Sequence, residues 1–122
     1  MKKKDIKFNH FSIEVLLLPK DEKNYEFEFD GRRYVCAGDE DACCFEGNRV
    51  QPFGLVFRES WSWRELVHEC WHLFFKILRY MGGKQTVTYD ICEREIFAYR
   101  FTDLCDSVYE ALEELASSSS EV

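Results

Sequence analysis

Two of the three histidines in the chain stand four residues apart, in the segment His68-Glu69-Cys70-Trp71-His72. On a helix, residues four apart lie one turn above each other on the same face, so both imidazoles can reach one metal ion. Glu69 lies about 100° around the same helix, where its carboxylate can contact a water bound to that ion. Zinc takes neutral imidazole nitrogens and lowers the pKa of a bound water, whose proton a neighbouring glutamate can accept. The segment therefore predicts a zinc site suited to hydrolysis.

The alternative for this segment is a helix that carries the same five residues by chance and binds no metal. Two observations favour the metal site: the pattern uses two of only three histidines, and it lies on the most clearly delimited helix of the sequence. That helix is predicted to begin after Ser62, which forms a capping box with Glu65, and to end at Gly82-Gly83. We therefore expect one bound Zn²⁺.

A zinc site that keeps one position open for water uses three protein ligands, so the third must come from another part of the chain. The segment Glu93 to Tyr99 reads Glu-Arg-Glu-Ile-Phe-Ala-Tyr. It resembles the second metal-binding helix of gluzincins, in which the ligand glutamate is followed at its third position by alanine or another small residue. Glu95 and Ala98 fit that pattern.

The resemblance extends from about Phe53 to Leu104. A short sheet, a His-Glu-x-x-His helix, a loop and a second helix in this order resemble the minimal gluzincins and small phage-encoded zinc peptidases. The resemblance implies a zincin-like fold and peptide-bond hydrolysis. It implies Glu69 as the general base and three metal ligands, His68, His72 and Glu95.

Two glutamates compete for the third ligand position. Glu93 follows Asp90 by three residues, where a capping-box side chain bends back to the helix start, so Glu93 has a structural reason to be present without metal. The alternative role for Glu95 is a solvated helix surface. A small Ala98 one turn later would let the two helices approach closely. Glu95 is therefore favoured, and Glu93 stays open.

Other residues are weaker candidates. A lone histidine such as His10 is more often structural than a ligand, and Cys92 has no partner cysteine in a C-x-x-C pair. Tyr99 can steady an oxyanion or a ligand, but an amphipathic core tyrosine is its simpler interpretation. Trp71 can wall the metal site. The six cysteines are interpreted mainly as small buried apolar residues, with one of Cys43 and Cys44 exposed.

The first half of the chain is predicted to form an antiparallel or mixed sheet of four to five strands. Alternating apolar and acidic residues before Asp30-Gly31 indicate a hairpin. Pro52 suggests an edge strand or a bulge. The predicted strands are about Ile6 to Leu18, Tyr25 to Phe29, Arg32 to Cys36, Cys43 to Phe45 and Arg49 to Phe57.

The second half is predicted to form two helices that pack on this sheet, which makes the fold class α+β. The second helix begins with the capping signature of Asp90 and Glu93, and its apolar stripe runs from Phe97 toward Leu115. A chain of 122 residues can build one core, so we predict a single domain over residues 1–116 and a disordered Ser-rich tail over residues 117–122.

Charge and hydropathy exclude several classes of partner. The formal net charge is −7, which would repel a phosphate backbone or an anionic bilayer, so neither nucleic acid nor membrane is an expected partner. No stretch reaches the roughly 20 apolar residues of a membrane span, and the first residues lack a secretion signal. We expect a cytoplasmic protein.

The function implied by the resemblance is hydrolysis of a peptide or protein substrate. The strand before the motif helix, about Phe53 to Phe57, is expected to be the sheet edge that pairs with an extended peptide. The alternative is a non-catalytic protein-binding factor, for example one encoded by a phage or mobile element, in which zinc only joins the helices. Glu69 favours the enzyme, because a structural zinc site has no need of it.

Overall fold

The computed structural model describes residues 1–19, 24–38, 42–81 and 95–118, and it has the predicted α+β class. A four-stranded mixed sheet is covered by two helices on one face and by a two-stranded ribbon on the other. The strands are β1 (Lys2–Phe8), β2 (Phe11–Leu18), β3 (Tyr25–Phe29), β4 (Arg32–Cys36), β5 (Ala42–Phe45) and β6 (Phe53–Arg58), and the helices are α1 (Trp63–Met81) and α2 (Glu95–Ser117).

The first two strands form a hairpin that the sequence pattern did not predict. Asn9 and His10 have φ angles of 47° and 70° and connect β1 to β2, where Phe8 pairs with Phe11. Two consecutive residues with positive φ make the tight turn that matches the twist of a hairpin. The prediction of one strand from Ile6 to Leu18 is wrong, because the usual Asn-Gly signal is here replaced by Asn-His.

Strand β6 lies in the interior of the sheet. The strand order is β1-β2-β6-β5, with β6 parallel to β2 and antiparallel to β5. All six residues of β6 are buried, as expected for a strand covered on both faces. The prediction that Phe53 to Phe57 is the edge strand is therefore wrong: Pro52 precedes the strand and costs it no ladder hydrogen bond. Among the described residues, β5 and β1 are the edges.

The β3–β4 ribbon is a separate layer rather than part of the sheet. Its predicted turn at Asp30-Gly31 is confirmed by φ angles of 50° and 77°. Phe27 and Phe29 of the ribbon pack with Leu16 and Leu18 of β2 in a second apolar cluster. One sheet of four to five strands was predicted, and the structure divides the strands between a sheet and a ribbon.

Helix α1 begins at Trp63, directly after the predicted cap Ser62, whose carbonyl accepts a hydrogen bond from Leu66 N at 3.1 Å. Its apolar side, which includes Leu66, Leu73 and Ile77, packs against the sheet. The acidic residue of its first turn, Glu65, also suits the positive helix N-terminus. The predicted motif helix is confirmed.

Helix α2 runs antiparallel to α1. Trp63 at the start of α1 stacks on Tyr109, whereas Trp71, two turns later, lies against Phe101, which comes earlier in α2. The two helices therefore run in opposite directions. The helix extends to Ser117, the first residue of the predicted tail, and residues 119–122 lie outside the described part, as does the predicted start of α2 at Asp90. Neither of the two described helices has the length and apolar character that a bilayer span requires.

Candidate metal centre

His68 and His72 lie on the solvent side of α1 and face each other. Their rings are 4.7 Å apart between centroids and nearly perpendicular, and the two Nε2 atoms are 3.1 Å apart. Both side chains are exposed. The four-residue spacing thus brings the imidazole nitrogens together, as predicted from helical geometry.

This separation suits a shared metal ion. With zinc–nitrogen bonds of about 2.0–2.1 Å, two nitrogens 3.1 Å apart subtend about 95–100° at the ion, close to a tetrahedral angle. Without metal, the same distance is a hydrogen bond in which one Nε2–H donates to the other nitrogen. The pair therefore fits zinc without rearrangement of the helix backbone.

Glu69 lies between the histidine pair and strand β5, and it is half-buried. Burial raises the pKa of its carboxyl above the ordinary value of 4.5, while the neighbouring His68, His72 and Lys76 partly oppose that rise. A carboxyl with a raised pKa is better matched to accepting and returning a proton near neutral pH. The environment of Glu69 therefore fits a general base.

A pocket of about 430 Å³ opens beside Glu69 at the first turns of α1. It is lined by Ala42, Ser62, Arg64, Glu65, His68 and Glu69. Glu65 was singled out from the sequence only as a helix cap. Its Oε2 atom is buried and has no hydrogen-bond partner among the described residues. The available sequence signal was the four-residue spacing from Glu65 to Glu69, which places both carboxylates on the pocket side of α1.

The structure does not group Glu95 with the histidine pair. Trp71, which lies between the two histidines in sequence, contacts Phe101, and Glu95 lies about 9 Å of helix before Phe101 along α2. Within the residues described, no three His, Cys, Asp or Glu side chains are close enough together to hold a metal ion. Glu93 and Cys92 fall outside the described residues. The identity of the third ligand stays a prediction.

The other sequence candidates lie away from the pair. His10 lines a second pocket with Arg49 and Tyr80, at the opposite end of α1. Tyr99 is 67 % exposed, so its interpretation as a core tyrosine is wrong. Trp71 is 46 % exposed and packs against Phe101 and against a ring of its own helix.

Cysteines lie on and around the buried side of the motif helix. Cys70 is fully buried, and a hydrogen bond with Cys105 of α2, followed by burial, raises the pKa of its thiol. Burial also raises the pKa of Cys44 to about 12. These thiols stay neutral and act as the small apolar residues predicted. Cys43 and Cys44 are both partly buried, so neither is the exposed member that was expected.

No family model, curated protein or solved structure matches this chain. The resemblance to gluzincins therefore stays a prediction from the residues quoted above.

Proposed function

We propose that this protein is a zinc-dependent peptidase with a zincin-like arrangement of sheet and helices. The observation that carries the proposal is the 3.1 Å separation of the His68 and His72 Nε2 atoms, with Glu69 half-buried on the adjacent surface of the same helix. His68 and His72 would hold the ion, with Glu95 as third ligand and Glu93 as its alternative. When bound, zinc would supply a Lewis acid that polarises the carbonyl and acidifies water.

Glu69 moves the proton in this scheme. Its carboxylate takes a proton from the attacking water and returns it to the departing amine. Partial burial favours the protonated form of this carboxyl, and nearby Lys76 favours the carboxylate.

Strand β5 is the edge that would position the substrate. Ala42 of β5 lines the pocket beside Glu69, and Ala42 and Cys44 face the helix layer. The opposite edge, β1, carries Lys2, Lys3 and Lys4, and a row of charges discourages pairing with another strand. An extended peptide would therefore add along β5, within reach of Glu69.

A non-catalytic binding protein is the second candidate. It is favoured by Val67 and Trp71, large apolar side chains that are 48 % and 46 % exposed beside the histidine pair. In that case zinc would bridge secondary-structure elements and stabilise the fold.

Zinc content and peptide cleavage test the two candidates together. Protein purified without a metal-affinity step is expected to hold one zinc per chain, and His68→Ala or His72→Ala to lose it. His10→Ala is the matched control, because it removes the one histidine outside the pair. Unchanged zinc in both pair variants would end the metal proposal. Bound zinc with no cleavage of any member of a peptide library would leave the binding protein as the better description.

A further inference from the structure

The solvent side of α1 carries a line of apolar side chains that the proposed reaction does not use. Trp63, Val67 and Trp71 follow each other at four-residue spacing and are 57 %, 48 % and 46 % exposed. We call these three residues the Trp line. They extend over about 12 Å of helix, and the two half-exposed indoles alone present roughly 250 Å². With Val67 added, the patch approaches the few hundred Å² of the largest apolar patch on a typical monomer, and such patches are often functional.

Helix α2 holds part of the Trp line rigidly in place. The ring of Tyr109 stacks on Trp63 at 4.6 Å between centroids and an interplanar angle of 27°. Phe101 contacts Trp71 edge-on at 5.1 Å. The Trp line therefore lies along the margin between the two helices, and its two tryptophans are held against rings of α2 before any partner arrives. Preformed anchors reduce the entropy lost on binding.

The exposed surface of α2 near the Trp line is acidic. The solvent face of α2 carries four exposed carboxylates, none of which forms an ion pair with a described residue: Asp103, Asp106, Glu110 and Glu113. Glu113 also hydrogen-bonds Tyr109. On the α1 side, Arg64 is the exposed cation beside the Trp line. The local excess of negative charge agrees in sign with the net charge of −7.

We propose that the exposed surface formed by the Trp line and the neighbouring carboxylates of α2 binds a basic amphipathic helix of another protein. Its apolar side would lie on the Trp line, and its lysines or arginines would face the carboxylates of α2. A second copy of this chain fits less well, because two molecules with a net charge of −7 repel each other. The Trp line adjoins His68 and His72 on α1, so the bound helix would lie directly beside the proposed metal centre.

Two designed peptides test this proposal on the full chain. The probe is a labelled 18-residue helix of leucine and lysine with one apolar side, and its comparison has glutamate at every lysine position. Fluorescence anisotropy should show binding of the lysine peptide, weakened by salt, and at least tenfold weaker binding of the glutamate peptide. Equal binding of both peptides would overturn the proposal.

Variants locate the binding surface. Val67→Lys should weaken binding of the lysine peptide by about tenfold, whereas Val35→Lys, an equally charged change at a 58 % exposed valine on the ribbon, should leave it within about twofold. If Val67→Lys disturbs the fold, Asp106→Lys on α2 replaces it, with exposed Asp5→Lys on β1 as control. Equal losses in variant and control would show general charge attraction and refute the site. A dimer that dissociates on Val67→Lys would show that the occupant is a second copy, and would also refute it.

Discussion

Gly54 of β6 is a position where one added methyl group should disturb the contact between ribbon and sheet. A Cβ at residue 54 would lie 2.7 Å from Cζ and 2.8 Å from Cε2 of Phe29. Carbon atoms in contact prefer about 3.5–4.0 Å, so the ring must retreat by roughly 1 Å. Phe29 is 4 % exposed and stacked on Phe45 at 5.2 Å, so its burial and the stacked ring both resist that movement.

The expected cost of Gly54→Ala follows from these contacts. Overpacking of a buried site costs about 1–3 kcal/mol. Replacing glycine by alanine also stabilises the fold by about 0.4–1 kcal/mol, because it lowers the conformational entropy of the unfolded chain. The net loss should be about 1–2 kcal/mol in the free energy of unfolding. For a chain of this length, that loss lowers Tm by about 3–8 °C.

Urea unfolding of four proteins isolates the contact: wild type, Gly54→Ala, Phe29→Leu and the double variant. A leucine at position 29 lacks the ring tip, so the double variant should be at least about 1 kcal/mol more stable than the sum of the single losses predicts. Gly31→Asn is the control, because φ is 77° there, nothing lies within 4 Å and asparagine tolerates that conformation. Additive losses in the double variant, or a neutral Gly54→Ala, would refute this account of the ribbon contact.

Three further predictions concern single side chains. Arg58 is 2 % exposed and donates to the carbonyls of Cys36 and Ala37, so Arg58→Leu should lower the free energy of unfolding by on the order of 3 kcal/mol, measured in urea. In the presence of a metal chelator, Glu69→Gln should be more stable than wild type at neutral pH and equally stable in acid. The raised pKa of the Glu69 carboxyl gives the wild type a stability that is present below pH 4.5 and is lost as pH rises through the folded-state pKa. A stability difference that widens in acid would contradict this. In the presence of zinc, Glu69→Gln should keep the ion and lose about 10²- to 10⁴-fold in peptide turnover. Glu95→Ala should lose zinc, whereas Glu93→Ala should mainly weaken the helix cap. If Glu93→Ala loses zinc and Glu95→Ala keeps it, the third ligand is Glu93.

Local patterns in the sequence predicted the elements that carry the candidate site. The motif helix and the Asp30-Gly31 ribbon were predictable because capping, helical periodicity and turn chemistry act between residues that are close in the chain. The interior position of β6 was not, because it depends on pairing with β2, which no local pattern encodes.

The same reasoning explains the success and the failures at the site. The convergence of His68 and His72 follows from helix geometry alone. The surroundings of Glu69 come from β5, which is distant in sequence, and the exposure of Tyr99 depends on how α2 is rotated against α1. Helical periodicity marks an apolar side of a helix but does not tell which aromatic residues at its margin will be covered.

The parallel pairing of β2 with β6 imposes an order on folding. The hairpin of β1 and β2 can close as soon as it is synthesised. The apolar run of β2 from Val15 to Leu18, however, pairs with β6 and is buried on both faces only when the helices and the ribbon are also in place. Closing the long connection between β2 and β6 costs chain entropy before their contacts form, so this step should limit the folding rate. Until then the run is exposed on the nascent chain, where it can associate with other chains.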